Sequence, residues 1–524
     1  MQVRQFPDLE FRKLNKLVYD YCKGNPNVRE FYNLNPQFHE LAAEASNRIF
    51  PATHYARLSE VLREQYSNNQ RIQEVDENIA AFSNGSAITV CTGHQLCLLG
   101  GPAYLIYKIL STIKLAENVQ REVANKKVVP LFWLAGEDHD REEMNHTFIN
   151  ESRLEWKTDQ TGAVGRYAMD GFEHVLNEWI DSIEDEQLRN SMLEMWSRAL
   201  HEDSWAGLTK SWIHDCFGEW GLVVLNPDNA VLKQLFSAII KKELLQGVTH
   251  KCVASTNNLL AERGYHAQVN PREINLFYLS NQARVRIERS DRGWYTVDDR
   301  FAWNETELLL ELENHPENFS PNVLLRPLYQ ETILPNIAYV GGPGELSYWL
   351  QLKGLFAELD KPMPALILRD SAIIISPTSG RRLKKLGLEV HDLLRNKQEV
   401  IANLVGAKPD FSEEKNEIAR SYERLANRMA AIDSTLKASA MAEANRVLSG
   451  IDQLQAKTWK ALKIKEEQKL SSLDKVWEEI FPMSTWQERS KNMLKESMSN
   501  DKEIARNLLR EFQAPVSTLV IIEL

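Results

Sequence analysis

LFWLAGEDHD, residues 131–140, is a fully apolar run that stops at a glycine and passes at once into Glu137, Asp138, His139 and Asp140. Val128, Val129, Leu131, Phe132, Trp133 and Leu134 form a short apolar stretch broken only by Pro130, the pattern of a strand covered on both faces. In an open parallel sheet, ligands bind beyond the carboxyl ends of such strands, so the acidic cluster is expected at the mouth of a site. Three carboxylates around an imidazole in four consecutive residues are costly to hold together, because the carboxylates disfavour one another's charge, unless a cation, a substrate amine or a proton transfer uses them. A solvated acidic turn is the alternative.

Working outward, the alternation of strand and helix continues in both directions. Ile88, Val90 and Cys91 are strand-like, Thr92-Gly93-His94-Gln95 follows, and Gly100-Gly101-Pro102 introduces a helix to about Asn118. Leu222–Leu225 resumes the strand pattern ahead of a helix to about Leu245, and Ile337–Val340 precedes the loop AYVGGPGE and a helix over 346–359. One more apolar strand is expected over 365–375. This predicts an α/β fold with a Rossmann-like parallel sheet core. Insertions are expected at about 146–215, largely helical, and at about 250–320, β-rich with short strands near 277–279, 283–287 and 293–297.

Residues 1 to about 80 read as helices, from helical spacing in FRKLNKLVYDYC and FHELAAEASNRIF. With these helices, the core is expected to span 1–385. From about Arg381 the chain turns to long polar helices. Ile418, Tyr422, Leu425, Met429, Ile432 and Leu436 step by four and three residues, and the apolar steps continue more loosely to Val476, predicting an antiparallel coiled-coil hairpin over 386–478. Asp433-Ser434-Thr435 is placed to cap its second arm, and the heptad phase slips between Thr458 and Lys465. Residues 479–524 are expected to return to the core, ending in a strand.

The 62 basic and 73 acidic residues give a formal charge of −11, which argues against non-specific binding of nucleic acid or an anionic membrane. Five scattered cysteines without a CxxC pair indicate neither a disulfide scaffold nor a zinc knuckle. The N-terminus lacks the apolar centre of a signal peptide, and roughly eighteen apolar residues never run together. A cytoplasmic protein without membrane association is expected.

Candidate chemistry lies in the loops. His94 and Gln95 follow a glycine at a strand end just ahead of a helix, where amides and dipole can hold an anion, with Tyr104 and Lys108 one to two turns into that helix. Gly341, Gly342 and Gly344 surround Pro343 ahead of Glu345 and permit close ligand approach. Upstream, Arg326, Gln330 and Glu331 stand in an otherwise apolar segment, and an arginine in such company pairs with a carboxylate of the protein or of a ligand. No GxGxxG, Walker or GxSxG motif occurs. No histidine pair has HExxH spacing, so no metal ligand set is assigned.

Together, TGHQLCLLGGPAYLIYK (92–108), PLFWLAGEDHD (130–140) and LRPLYQETILPNIAYVGGPGELSYW (325–349), followed by a coiled-coil hairpin, resemble the cysteine-adding enzymes of bacillithiol biosynthesis, the cysteine ligase BshC family. His94 departs from that family's TGQQ segment. The resemblance implies a Rossmann-like core related to class I aminoacyl-tRNA synthetases, connecting insertions and a homodimer through the coiled coil. It also implies the reaction, joining cysteine to the glucosamine amine of glucosaminyl-malate. ATP or another nucleotide for cysteine activation is expected by analogy of fold.

On that reading Asp138 or His139 serves as base, with His94 a further catalytic candidate. Glu137 or Asp140 positions the cysteine ammonium or sugar hydroxyls, and Arg326 or Lys108 binds the malate carboxylates. The Gly341–Gly344 amides and the helix after Gly101 cradle a phosphate or carboxylate. Gln95, Tyr104, Asn145, Gln330, Tyr339 and Glu345 complete the substrate-binding set. A metal-dependent hydrolase using the 137–140 loop and a non-catalytic coiled-coil scaffold are the competing classes.

Overall fold

The computed structural model describes residues 2–7, 9, 14–149, 152–394, 396–406 and 408–524, the side chains of Asn500 and Asp501 aside. The chain divides into two units, one of residues 3–373 with 485–520, the other of residues 374–484 with the chain ends.

Five strands form the sheet of the larger unit, in the spatial order Ala365–Leu368, Asn336–Gly341, Ala87–His94, Lys127–Leu134, Val223–Leu225. Every pairing is parallel. Numbered along the chain this is the order 5-4-1-2-3 of a doubly wound sheet. Successive residues of the apolar strands feed opposite cores. Val129, Leu131 and Trp133 pack with Cys91, Leu225 and Tyr339 on one face, whereas Val128, Ile88 and Val90 pack with Leu115 and Val119 on the other. This explains a continuous apolar run in place of alternation. Each such side chain contributes about 1.5–3 kcal/mol on burial. Pro130 is tolerated because pairing with the three-residue outer strand starts one residue later, at Leu131 opposite Val223.

After Ala87–His94 the chain crosses one way to Lys127–Leu134, and its neighbour on the other side is Asn336–Gly341. Loops 94–103 and 341–345 therefore flank the topological switch point, with the 135–140 loop beside them.

The first insertion holds the hairpin His146–Ile149 with Ser152–Glu155 and the helices Phe172–Asp181, Glu186–Ala199 and Trp205–Phe217. The second carries a five-stranded antiparallel sheet. Its strands Leu276–Ser280, Ala283–Ser290 and Gly293–Thr296 match expectation, whereas Ala302–Trp303 and Phe319–Pro321 are too short to leave a periodic signal.

Three readings are corrected. The segment 1–80 is not wholly helical, because Gln2–Pro7 is a strand; of FRKLNKLVYDYC, residues 11–13 lie outside the described residues, and the helix observed is Lys16–Cys22. The expected helix over 346–359 is two, Pro343–Leu350 and Lys353–Glu358. The apolar run 365–375 is likewise two strands, Ala365–Leu368 and Ser371–Ile375. Arg369 and Asp370 separate them, both buried and both committed to residues of the 485–520 segment. Arg369 forms a bidentate pair with Glu488 at 2.8 and 2.6 Å. Asp370 accepts from the Thr518 amide at 2.9 Å and its hydroxyl at 2.7 Å. These bonds tie the 485–520 segment into the larger unit.

In the smaller unit, Ser412–Ala430 and Leu436–Lys465 are the arms of the hairpin, and Glu467–Ile480 follows a break at Glu466, just past the phase slip. Lys415 reaches Asp452 at 2.7 Å, near-equal distances from the turn along both arms, as antiparallel packing requires. The small side chains Ala426, Ala440 and Ala444 are buried, allowing close approach. Asp433 accepts from the Thr435 amide and hydroxyl at 2.8 and 2.7 Å. It closes the turn, and the Thr435 side chain makes no cap bond to the second arm.

Candidate functional site

A cleft of about 820 Å³ opens at the switch point. His94, Gln95, Tyr104, Lys108, Glu137, Asp138, Arg326, Tyr339, Gly342, Gly344 and Glu345 all line it. Three loops that are remote in sequence thus converge as the doubly wound topology predicts.

The glycine loop departs from expectation. Glu345 turns back on its own helix N-terminus and accepts from the Gly342 amide at 2.8 Å, occupying one of the amides expected to cradle an anion. It also accepts from the Tyr339 hydroxyl at 2.6 Å and from Lys108 at 2.9 Å. Burial opposes its charge, but Lys108 and these hydrogen bonds outweigh it and lower the carboxyl to about 2. None of Gly341, Gly342 and Gly344 has a positive φ. Only Gly341 is sterically required, since a Cβ there would lie 2.9 Å from Leu346.

Lys108 is likewise spent internally. Its ammonium donates to the Gly93 carbonyl oxygen and to both Glu345 oxygens, so it holds two loops together and offers no free charge for malate. At the other helix start Gly101 adopts φ +54, and a Cβ there would collide with Cys97. The Ala103 amide is taken by the Lys491 carbonyl at 2.9 Å.

The acidic loop is equally committed. Glu137 pairs with buried Lys233 at 2.7 Å and accepts from Ser320 at 2.5 Å. Asp138 accepts from Gln95 at 2.6 Å and from the His139 amide at 2.8 Å, with Arg284 at 3.5 Å. Burial alone would raise the Asp138 carboxyl, but the bonds from His139 and Gln95 and the charge of Arg284 hold it well below the usual carboxylate range. Asp138 is therefore poorly suited to take a proton and well suited to orient Gln95 and Arg284. His139 and Asp140 are exposed and do not line the cleft, although the His139 ring lies against Arg284 at 3.3 Å and Phe277, which do.

Burial and the nearby Lys108 charge push His94 down to about 4, so its imidazole is neutral. Nδ1 faces the Gln95 carbonyl oxygen at 2.9 Å and donates to it, and Nε2 accepts from the Tyr104 hydroxyl at 3.1 Å.

Arg326 is the outstanding cation. Its Nη1 donates to Gln330 at 3.0 Å and its guanidinium lies 5.8 and 5.6 Å from the Trp133 and Tyr339 rings. Tyr348 is a further hydrogen-bond neighbour of the guanidinium, and no carboxylate among the described residues lies within 4.0 Å of it. Gln330 orients Arg326 from behind the wall and is itself held against Glu331 at 2.8 Å. Asn145 also lies outside the cleft and ties the 146–155 hairpin to Glu155 at 3.1 Å.

Sequence reasoning missed Arg284, Arg369, Arg489 and Lys233. Arg369 had left a trace as the interruption of an apolar run, and Arg284 sits on an expected strand. Nothing local marks Arg489 or Lys233, which reach the site through tertiary packing. The outcome is a cleft rich in cations within a chain of charge −11, suited to a ligand with several negative oxygens. Among the described residues no three His, Cys, Asp or Glu side chains are grouped to hold a metal ion, and no helix is long and apolar enough to cross a membrane.

Two family models match the chain. The N-terminal Rossmann-like domain of bacillithiol biosynthesis BshC matches residues 1–370 and the C-terminal coiled-coil domain of BshC matches residues 372–524. A relative from Cytophaga hutchinsonii named "Putative cysteine ligase BshC" is 34% identical over 503 residues, covering 95% of this chain and 94% of the relative. Relatives of the same name from Flavobacterium psychrophilum and Christiangramia forsetii are 33% and 32% identical, each aligned over 97% of this chain and over 97% and 96% of their own lengths. The Rossmann-like sheet, the coiled-coil hairpin and these matches agree: the chain belongs to the BshC family of bacillithiol biosynthesis.

Proposed function

We propose that the cleft joins L-cysteine to the glucosamine amine of glucosaminyl-malate, forming the amide in the last step of bacillithiol synthesis. The observation that carries this reading is Arg326, a buried guanidinium that lines a cationic cleft and has no carboxylate within 4.0 Å among the described residues. A carboxylate bound there gains a charge-assisted hydrogen bond. The malyl group brings two carboxylates, one for Arg326 and one for the exposed Arg272, which also lacks a carboxylate within 4.0 Å among the described residues. Glu137 and Asp138 order the wall on which the amine rests. ATP or another nucleotide, when bound, supplies the activation that a free carboxylate lacks.

The hairpin supports association of two copies of the chain. Ile432 at the turn and Leu454 and Ile464 on the second arm are 85%, 57% and 62% exposed, apolar side chains that association would cover. Light scattering of the full chain and of a chain lacking residues 400–475 tests this; a dimer that persists without them sinks it.

The catalytic reading is tested by product assay and thermal shift with cysteine, glucosaminyl-malate and ATP, singly and combined. Amide product with nucleotide consumption is expected. Absence of product with all three present overturns the proposal.

A further inference from the structure

Beside the main cleft lies a second cavity of about 290 Å³, sharing His94, Gln95, Tyr104 and Arg489 with it. Its volume equals that of about ten water molecules in liquid, room for one small amino acid.

The lining is built to receive something. Ser490 is 8% exposed and its Oγ has no hydrogen-bond partner. Arg489 has no carboxylate within 4.0 Å among the described residues. Glu143, at the rim, accepts from Gln95 at 3.3 Å and is paired with no cation among the described residues. Cys97, Met144 and Phe148 supply a polarizable, largely apolar wall. Arg489 and Ser490 are carried on Gln487–Ser490, and the intervening Glu488 is bound to Arg369 with both side chains only 3–4% exposed. The buried pair holds this short segment in one place.

We propose that this side pocket is the cysteine subsite, an inference that rests on the ligase reading above. Arg489 receives the carboxylate at the opening into the main cleft, where the sugar amine arrives. Glu143 receives the ammonium, Ser490 gains the partner it lacks, and the side-chain sulfur lies against Cys97, Met144 and Phe148. Separate chambers for the amino acid and the sugar conjugate mean that the two substrates can be perturbed independently.

The test measures initial rates on the full-length enzyme with each substrate varied in turn, for Glu143→Gln and Ser490→Ala. Glu143 is exposed, so its variant folds, and melting curves check both. The expected result is a rise of about tenfold in KM for cysteine with Glu143→Gln and a few-fold rise with Ser490→Ala, with KM for glucosaminyl-malate unmoved. An unchanged KM for cysteine in both, or a shift in KM for glucosaminyl-malate instead, overturns the subsite. Equilibrium dialysis with labelled cysteine separates the two proposals. Binding that weakens in Glu143→Gln while the enzyme forms no amide upholds the subsite and defeats the ligase reading.

Discussion

Lys108 and Glu345, 237 positions apart in the sequence, form an ion pair with both carboxylate oxygens at 3.0 and 2.9 Å. The pair locks the helix after the first strand of the sheet to the helix after the fourth, across the switch point. It also explains why neither the lysine nor the Gly342 amide is left for substrate.

Breaking the pair is expected to be asymmetric. Glu345→Gln leaves the Lys108 ammonium uncompensated in a site where its side chain is 1% exposed, and is expected to cost about 3 kcal/mol. Lys108→Met leaves a carboxylate that water can still reach, and is expected to cost about half of that. Urea denaturation of the two variants measures the difference, and equal losses would contradict the account.

Glu345 and Glu331 are expected to give opposite pH dependences. Glu345 is lowered from 4.5 to about 2, so its contribution is complete above pH 4.5 and is lost as pH falls toward 2. Glu331, buried beside Gln330 and Asn336, is raised from 4.5 to about 7, chiefly by burial. The folded state then binds more protons than the unfolded one between those values, so this group makes stability fall as pH rises from 4.5 to 7. Glu331→Gln keeps an oxygen for both amide donors and removes that decline. Denaturation midpoints across pH 4–8 check it; an undiminished decline in the variant would refute the assignment.

Arg326→Met should act on substrate far more than on folding, because no carboxylate of the protein within ion-pair distance among the described residues is orphaned by it. KM for glucosaminyl-malate is expected to rise roughly 10–100-fold, the value of a charge-assisted hydrogen bond, with KM for cysteine nearly constant. Steady-state kinetics decides between this and a purely structural arginine.

Asp138→Asn should reduce kcat without moving the pH–rate profile. The carboxyl is ionised throughout the neutral range, so its loss removes the orientation of Gln95 and Arg284 and leaves any titrating group unchanged. A variant whose acid limb disappears would instead identify Asp138 as the base.

The parallel sheet was legible because burial on both faces forces uninterrupted apolar runs, as in 128–134, and because each run ends in a loop of glycine and polar residues. The coiled-coil hairpin was legible for the same kind of reason: its seam repeats every three to four residues. The antiparallel insertion was half legible, since strands of two or three residues such as Ala302–Trp303 carry no period.

Within the site, the sequence pointed to loops that the structure brings together but not to the partners that their side chains have. Glu137, Asp138, Lys108 and Glu345 looked like free chemistry when read locally, and each is engaged by a partner between 43 and 237 residues away. Charge pairing is a contact between remote segments and leaves no mark on the residues' immediate neighbours.

By itself, then, the sequence determined the strand–loop–helix units, the helical hairpin and the three loops that meet at the switch point, because local periodicity and backbone chemistry control those features. Only the tertiary structure decided which charges are neutralised and which are left open. That is why Arg326 and Arg489, one from a helix before the fourth strand and one from the returning C-terminal segment, emerge among the cleft-lining cations without a carboxylate within 4.0 Å among the described residues. Whether a buried charge is spent depends on what lies within about 4 Å of it, a distance that no spacing along the chain encodes.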